Sequence, residues 1–412
     1  MSGSGARLAC PACGSDFPEE TISVRCRSCG GLLEVRHPKQ TLDGEALRQL
    51  FDSRVASEGS GSGVWRFREM VLSTDTPVSY PEGNTPLVSR EAISAWVGCE
   101  VLLKHEGLNP TGSFKDRGMT VGVTQARRLG VSAVACASTG NTAASLAAYA
   151  AQAGLRAIVL VPSGQIARGK LAQAVGFGAQ VVAVRGDFDA CLAMVEDASA
   201  RVGLYLLNSV NPYRLEGQKT IIFELLQQLG WKSPDWIVLP GGNLGNTAAF
   251  GKALEEARDA GLLRIARNPR IAVVQADGAA PFARSFAGGF QNRLRVNAET
   301  VATAIRIGNP ASWDRAVRAI RWTDGVVISV PDEEILAAKA IIDRAGVGCE
   351  PASAASVAGV RRLVRDGLIT EQETVVAILT GHMLKDPETL LQDHRVLEID
   401  PTVSALEQAL ER

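Results

Sequence analysis

The sequence predicts an α/β fold: two open parallel-sheet domains behind a short N-terminal cysteine segment. Three observations carry that reading. From residue 133 onward, apolar runs of about five residues alternate with longer helical patterns, the order that produces right-handed βαβ units and a sheet covered on both faces. Most of these strand-like runs end in a loop rich in Gly, Asn, Ser and Thr, where ligands of such sheets bind. Four of the eight cysteines fall in two Cys-x-x-Cys pairs within the first 30 residues.

Composition narrows the class. A chain of 412 residues with 46% hydrophobic and 21% charged residues has apolar content for two or three real cores, which excludes disordered and collagen-like classes. Lys+Arg 43 against Asp+Glu 44 leaves a net charge of -1, so no basic surface for nucleic acid is expected and an anionic ligand must be met locally. No apolar signal core follows Met1, and the most apolar run, 142–162, is broken by Gln152, Gly154 and Arg156. The expectation is a cytoplasmic protein that does not enter a membrane.

Taken in order, residues 1–38 contain Cys10-Pro-Ala-Cys13 and Cys26-Arg-Ser-Cys29, each followed by glycine. Each turn offers two thiolates, and two turns complete a tetrahedron, so Cys10, Cys13, Cys26 and Cys29 read as a closed structural zinc site with no position for substrate. The alternative is a pair of reduced or redox-active turns. Cys99, Cys136, Cys191 and Cys349 are scattered among apolar neighbours and read as core residues. A weak helix surrounds Leu42, Leu47 and Phe51, and Gly59-Ser-Gly-Ser-Gly63 has the composition of a hinge or mobile loop. Gly83-Asn-Thr-Pro-Leu87 is then a turn leading to a strand over 101–104.

Asn109-Pro-Thr-Gly-Ser-Phe-Lys115-Asp-Arg-Gly118 is a breaker-rich loop running into an amphipathic stretch over 119–129. Lys115 sits at the junction, where the positive end of the helix dipole disfavours an ammonium. The neutral amine is the form that attacks a carbonyl to give a Schiff base. Strands are expected at Ala133–Ala137, 157–161, Gln180–Val184, Trp236–Pro240, 271–275 and Val375–Leu379, with helices over 143–153, 170–175 and Phe188–Val202.

Four loops after strands stand out. Ser138-Thr-Gly-Asn-Thr142 offers hydroxyls, an amide and free helix N–H groups, a cradle for a carboxylate. Gly241-Gly-Asn-Leu-Gly-Asn246 lets backbone amides close on a phosphate, without matching a dinucleotide or Walker pattern. Asn208-Ser-Val-Asn-Pro-Tyr-Arg214 presents donors and a guanidinium for a second anion. Leu379-Thr-Gly-His-Met-Leu-Lys-Asp386 places a hydroxyl at a strand end.

Gly-Asn-Thr-Pro-Leu, Gly-Ser-Phe-Lys115-Asp-Arg-Gly, Ser-Thr-Gly-Asn141-Thr, Asn-Ser-x-Asn-Pro-x-Arg214 and Gly-Gly-Asn-Leu-Gly-Asn, in this order, resemble the threonine synthases of the tryptophan-synthase-β fold type of pyridoxal-phosphate enzymes. The likeness runs from about Pro81 to Pro387 and includes Thr303-Ala-Ile-Arg306-Ile-Gly-Asn309-Pro. It implies a large cofactor-binding domain formed by 39–110 and 221–400, a smaller α/β domain over 111–220, and a tail over 401–412.

By the same resemblance, Lys115 would hold pyridoxal 5'-phosphate as a Schiff base and shuttle protons. Asn141 would bond the ring's 3-oxygen. Gly241, Gly242, Asn243, Leu244, Gly245 and Asn246 would cradle the cofactor phosphate, and Thr380 would face the ring nitrogen, where a hydroxyl in place of a carboxylate leaves that nitrogen largely unprotonated. Ser138, Thr139 and Thr142 would take the substrate carboxylate, and Asn208, Ser209 and Arg214 the substrate phosphate. The implied reaction turns O-phospho-L-homoserine and water into L-threonine and phosphate, in a homodimer. Two alternatives stand beside it: a related lyase, such as a threonine or serine dehydratase or a cysteate-synthase-like enzyme, and a non-catalytic zinc-ribbon binding protein. An intact Lys115 and both anion cradles argue against the last.

Overall fold

The computed structural model describes residues 5–58, 61–163, 168–186, 188–263, 268–387, 389 and 397–410. Two sheets organise it. The larger has six strands in the order Val326–Val330, Arg270–Ala276, Trp236–Pro240, Val375–Leu379, Val101–His105 and Leu87–Ser89, all parallel except the last. The smaller has four parallel strands in the order Gln180–Val184, Arg156–Pro162, Ala133–Ala137 and Leu204–Leu206. Trp236–Pro240 and Val375–Leu379 are buried along their whole length, as expected of strands covered by helices on both faces. The mixed α/β class with parallel sheets is the one the alternation of patterns predicted.

Strand order places the four loops. In the large sheet the chain runs outward from Trp236–Pro240 through Arg270–Ala276 to Val326–Val330, then returns to Val375–Leu379 on the other side. In the small sheet it runs outward from Ala133–Ala137 and returns at Leu204–Leu206. Each reversal opens a crevice at the carboxyl ends of the two central strands, because the following connections leave in opposite directions. Loops 241–246 and 380–386 flank one crevice; 138–142 and 207–211 flank the other.

The N-terminal segment forms a three-stranded antiparallel sheet of Asp16–Pro18, Arg7–Ala9 and Glu34–Arg36. It has no separate core. Leu8, Leu33 and Val35 join the cluster containing Phe51, Phe223 and Phe250, while Val24 joins Ala135, Leu160 and Leu206 of the small sheet. Arg25 pairs with Glu196 at 3.1 Å and Arg315 with Glu34 at 3.2 Å, so the segment is pinned to helices beside both sheets.

The expected hinge at 59–63 needs correction. Gly59 and Ser60 lie outside the described residues, but Gly63 N–H donates to Glu82 O at 2.7 Å and the Ser62 hydroxyl bonds the Glu82 carboxylate. A Cβ at Gly63 would stand 2.3 Å from Asn84 N. Composition suggested a spacer, whereas the glycine serves a close backbone approach. Among the described residues, no helix is long and apolar enough to cross a membrane.

Candidate active site

Lys115 is the first residue of helix Lys115–Arg128, and its neighbours are tightly held. Asp116 accepts from Thr111 N at 2.7 Å, Thr111 Oγ1 at 2.6 Å and Ser145 Oγ at 2.6 Å, which closes the loop and ties it to helix Asn141–Ala153. Burial pushes its carboxyl up to about 6 against those three bonds. Arg117 is fully buried between Glu106 at 2.7 Å and Glu224 at 2.8 Å. The far side of the loop is held by the large sheet: Phe114 N–H donates to Thr380 O at 3.0 Å, Ser113 bridges Gly381, and Lys385 Nζ donates to Thr111 O at 2.9 Å.

Lys115 itself is half-buried, with Nζ 4.1 Å from the centroid of the Phe114 ring and, among the described residues, no hydrogen-bond or ion-pair partner. Burial, aided by the like charge of Arg214 and opposed by Glu350, lowers its pKa to about 7. These causes add to the helix-end effect expected from sequence.

The helix carrying Arg214, Pro212–Gln218, crosses the lysine helix at very short range. A Cβ at Gly217 would stand 1.7 Å from Arg117 O, and one at Gly118 would stand 2.9 Å from Arg214 O. Glycine on both sides makes this crossing possible and brings Arg214 beside Lys115. Arg214 is wholly buried; Nη1 donates to Leu207 O at 3.1 Å, but among the described residues Nε and Nη2 have no partner. A buried guanidinium with unspent donors is costly without an anion, and burial lowers its pKa to about 10.

The other residues expected to bind anions divide into two groups. Asn208 spends its amide on Ala137, accepting from N and donating to O, both at 2.9 Å. Asn211 caps the Arg214 helix through Tyr213 N at 2.9 Å. The Asn-Ser-x-Asn-Pro motif thus builds the turn that delivers Arg214, with Ser209 half-buried beside it. Residues 138–142 are all partly open, and the Gly140 N-cap of helix Asn141–Ala153 receives no side-chain bond. First-turn amides at such an end lack intrahelical partners.

In the Gly241–Asn246 turn, Leu244 adopts φ 62 and Gly241 packs so closely that a Cβ would lie 2.5 Å from Val273 Cγ1. Asn243 Oδ1 accepts from Ala311 N at 3.3 Å, so this side chain pins a neighbouring loop. Asn246 Oδ1, Thr247 Oγ1 and Gln218 Oε1 are buried without partners among the described residues, around the start of helix Gly245–Asp259.

Two residues that sequence reasoning missed lie at the centre. Glu350 accepts from Asn141 Nδ2 at 3.0 Å and lies 3.3 Å from Thr380 Oγ1; Ser353 Oγ lies 2.9 Å from the same Thr380 oxygen. Glu-Pro at a helix start reads as an ordinary entry, so only the long-range pairing reveals them. Thr247 was also missed, although a hydroxyl after Gly-Asn in a first turn is a usable signal. An open groove lined by Phe290, Trp313, Val317 and Trp322 contains none of these residues.

Comparison with known proteins agrees with this geometry. Residues 78–381 match the family described as pyridoxal-phosphate dependent enzyme. The chain is 46% identical to threonine synthase of Methanosarcina acetivorans over 409 residues, covering 98% of each chain. It is 43% identical to threonine synthase of Methanocaldococcus jannaschii over 407 residues, covering 97% of this chain and 98% of the relative. The solved threonine synthase of Escherichia coli superposes with a TM-score of 0.71 at 20% identity, over 98% of this chain and 94% of that one, a likeness of fold. A half-buried lysine between two strand-order reversals, with relatives of this identity along nearly its whole length, places the chain in the threonine synthase family of pyridoxal-phosphate dependent enzymes.

Proposed function

We infer that this chain converts O-phospho-L-homoserine and water to L-threonine and phosphate, with Lys115 as its central base. The observation that carries the reading is the placement of a depressed-pKa amine beside a buried guanidinium with two unspent nitrogens.

The residues present fit pyridoxal phosphate. Asn246 Oδ1 and Thr247 Oγ1 are orphaned at a helix start next to three glycines, where a phosphate would find hydroxyl and backbone donors. Lys115 would carry the cofactor, Gly241–Asn246 would hold its phosphate through backbone amides, Asn141 would meet its 3-oxygen, and Thr380 its ring nitrogen. When bound, the cofactor supplies a carbonyl that an amine attacks and a ring that withdraws electrons from the amino acid's α-carbon.

The rest is done by the chain. Ser138, Thr139 and Thr142, with the open helix end, hold the substrate carboxylate and fix which bond faces Lys115. Arg214 Nε and Nη2, with Ser209 and the Asn208 turn, hold the substrate phosphate; each charge-assisted bond contributes about 1.5–3 kcal/mol, enough to reject the plain alcohol. Lys115 Nζ, about half neutral near pH 7, removes the α-proton and can redeliver it. The net change expels phosphate from the γ-carbon, which gains a proton to become a methyl, while the β-carbon gives up one proton and takes the hydroxyl of water, whose remaining proton leaves with the phosphate.

We further propose that the chain divides at 39–110 with 221–400 and at 111–220, that Cys10, Cys13, Cys26 and Cys29 hold zinc, and that the enzyme works as a cytoplasmic homodimer. The four sulfurs lie within 4.8 Å of one another, the closeness a tetrahedral thiolate site requires. Phosphate release from O-phosphohomoserine, set against phosphate release from O-phosphoserine and ammonia release from threonine, tests the substrate. Preference for either of the latter would move the chain to the related-lyase reading.

A further inference from the structure

We propose that Glu350 is a positioning residue for this reaction, spanning Asn141 and Thr380 and setting the direction in which each presents its hydrogens. The proposal rests on the roles given above to Asn141 and Thr380.

Glu350 is the N-cap of helix Pro351–Arg365, yet its side chain makes no cap bond there. It turns inward instead, 4% exposed, with Oε2 accepting from Asn141 Nδ2 at 3.0 Å and Oε1 3.3 Å from Thr380 Oγ1. Asn141 belongs to the small-sheet loop and Thr380 to the large-sheet loop, so one carboxyl joins both halves of the site. Its own backbone is fixed by Glu350 N–H donating to Gly381 O at 3.0 Å. A Cβ at Gly381 would stand 2.5 Å from Glu350 Cδ, so glycine there makes room for the carboxyl.

The chemistry follows from donor counting. An asparagine amide carries two donors on nitrogen and an acceptor on oxygen, and a half-turn exchanges them. Accepting from Nδ2 locks the nitrogen edge, leaving its second hydrogen with one fixed direction. Thr380 has a single hydroxyl hydrogen. An ionised Glu350 can only accept it, which leaves Thr380 presenting lone pairs to its other neighbour. A neutral acid, or an amide in its place, can donate to Thr380 and free that hydrogen to point elsewhere. Ser353 Oγ, fixed by accepting from Gly381 N at 2.9 Å, buttresses the same oxygen.

The charged groups facing the carboxyl are Lys115 and Lys385, with the buried Cys349 thiol adjoining it in the chain. Burial raises the Glu350 pKa while the two lysines and the bonds from Asn141 and Thr380 lower it, with a net rise.

The test uses the full-length holoenzyme and Glu350→Gln and Glu350→Ala, read by the visible spectrum of the bound cofactor against pH, by cofactor affinity of the apo chain, and by kcat and KM separately. Gln accepts from Asn141 and donates to Thr380, so cofactor affinity stays near wild type while the pH midpoint of the visible band moves by about one unit or more. Ala leaves the Asn141 amide without its acceptor and Thr380 with Ser353 alone, lowering cofactor affinity on the order of tenfold and kcat more than it raises KM. If Ala does not fold, Gln alone decides. In an Asn141→Ala background, the effect of Gln shrinks. Spectra and pH profiles that overlay wild type, with only a lower melting point, would overturn the proposal. Failure of the underlying site reading shows separately, as a wild-type chain that borohydride does not label at Lys115.

Discussion

The amine of Lys115 can be titrated directly in the apo chain. An ordinary lysine titrates near 10.5, and burial with Arg214 lowers this one to about 7. At pH 7 about half of Lys115 is neutral, against roughly one in a few thousand for a solvated lysine, so it holds on the order of a thousandfold more reactive amine. Arg214→Met removes a like charge and should move the midpoint up; Glu350→Gln removes an opposing charge and should move it down. A brief pulse of amine-directed reagent across roughly pH 5 to 11, which spans the lowered and the ordinary lysine values, followed by digestion and quantification of the 115 peptide, reads each midpoint. The linkage has a definite sign. With the folded value below the unfolded one, the unfolded chain binds more protons between them, so apo stability rises with pH through that window. Lys115→Met should flatten that slope. A labelling midpoint above about pH 9, or an Arg214→Met shift downward, would refute the reasoning.

Three further outcomes follow. Gly217→Ala forces a methyl toward a position 1.7 Å from Arg117 O; urea unfolding should show a loss of about 1–3 kcal/mol or more, with lower turnover because Arg214 moves with its helix. Glu224 is wholly buried and, although burial alone would raise its pKa, Arg117 and Lys104 hold it well below the carboxylate range. It also accepts from Lys104 at 2.6 Å and Asn84 N at 2.8 Å, so Glu224→Gln should cost about 3–5 kcal/mol near neutrality. Because its folded value is depressed, that stability is present above the unfolded value and lost as pH falls through the folded one, so the variant's deficit should narrow in acid; denaturant melts from neutral to acid pH read it. Metal removal from Cys10, Cys13, Cys26 and Cys29 should lower the thermal midpoint and weaken activity together, since the segment is pinned to both sheets by Arg25–Glu196 and Arg315–Glu34. A chelated chain with unchanged melting would contradict the assignment.

The sequence made much of this site legible because its chemistry is local. Lys115, the glycine turn at 241–246 and the hydroxyl loop at 138–142 announce themselves by residue type next to an apolar strand, and strand order then places them at two crevices. What escaped depends on distant pairing. Glu350 and Asn141 are 209 residues apart in sequence. The three-residue strand Leu204–Leu206 carries too little pattern to separate from a turn, whereas Val326–Val330 is as long and as β-branched as the strands that were read and was missed without a physical reason. Asn208 and Asn243 showed the limit of motif reading, since polar groups in a motif can be spent on the protein itself: Asn208 accepts from Ala137 N and donates to Ala137 O, and Asn243 Oδ1 accepts from Ala311 N. Gly63 misled in the opposite sense, as linker composition concealed a packed backbone approach.

The central claim is that one amine, at 115, carries the cofactor. Borohydride reduction of the holoenzyme followed by peptide mapping should give a single pyridoxyl mark on the peptide containing Lys115, and Lys115→Ala should be colourless and unmarked. A mark on Lys385, Lys104 or any other lysine, with Lys115 untouched, would contradict the account.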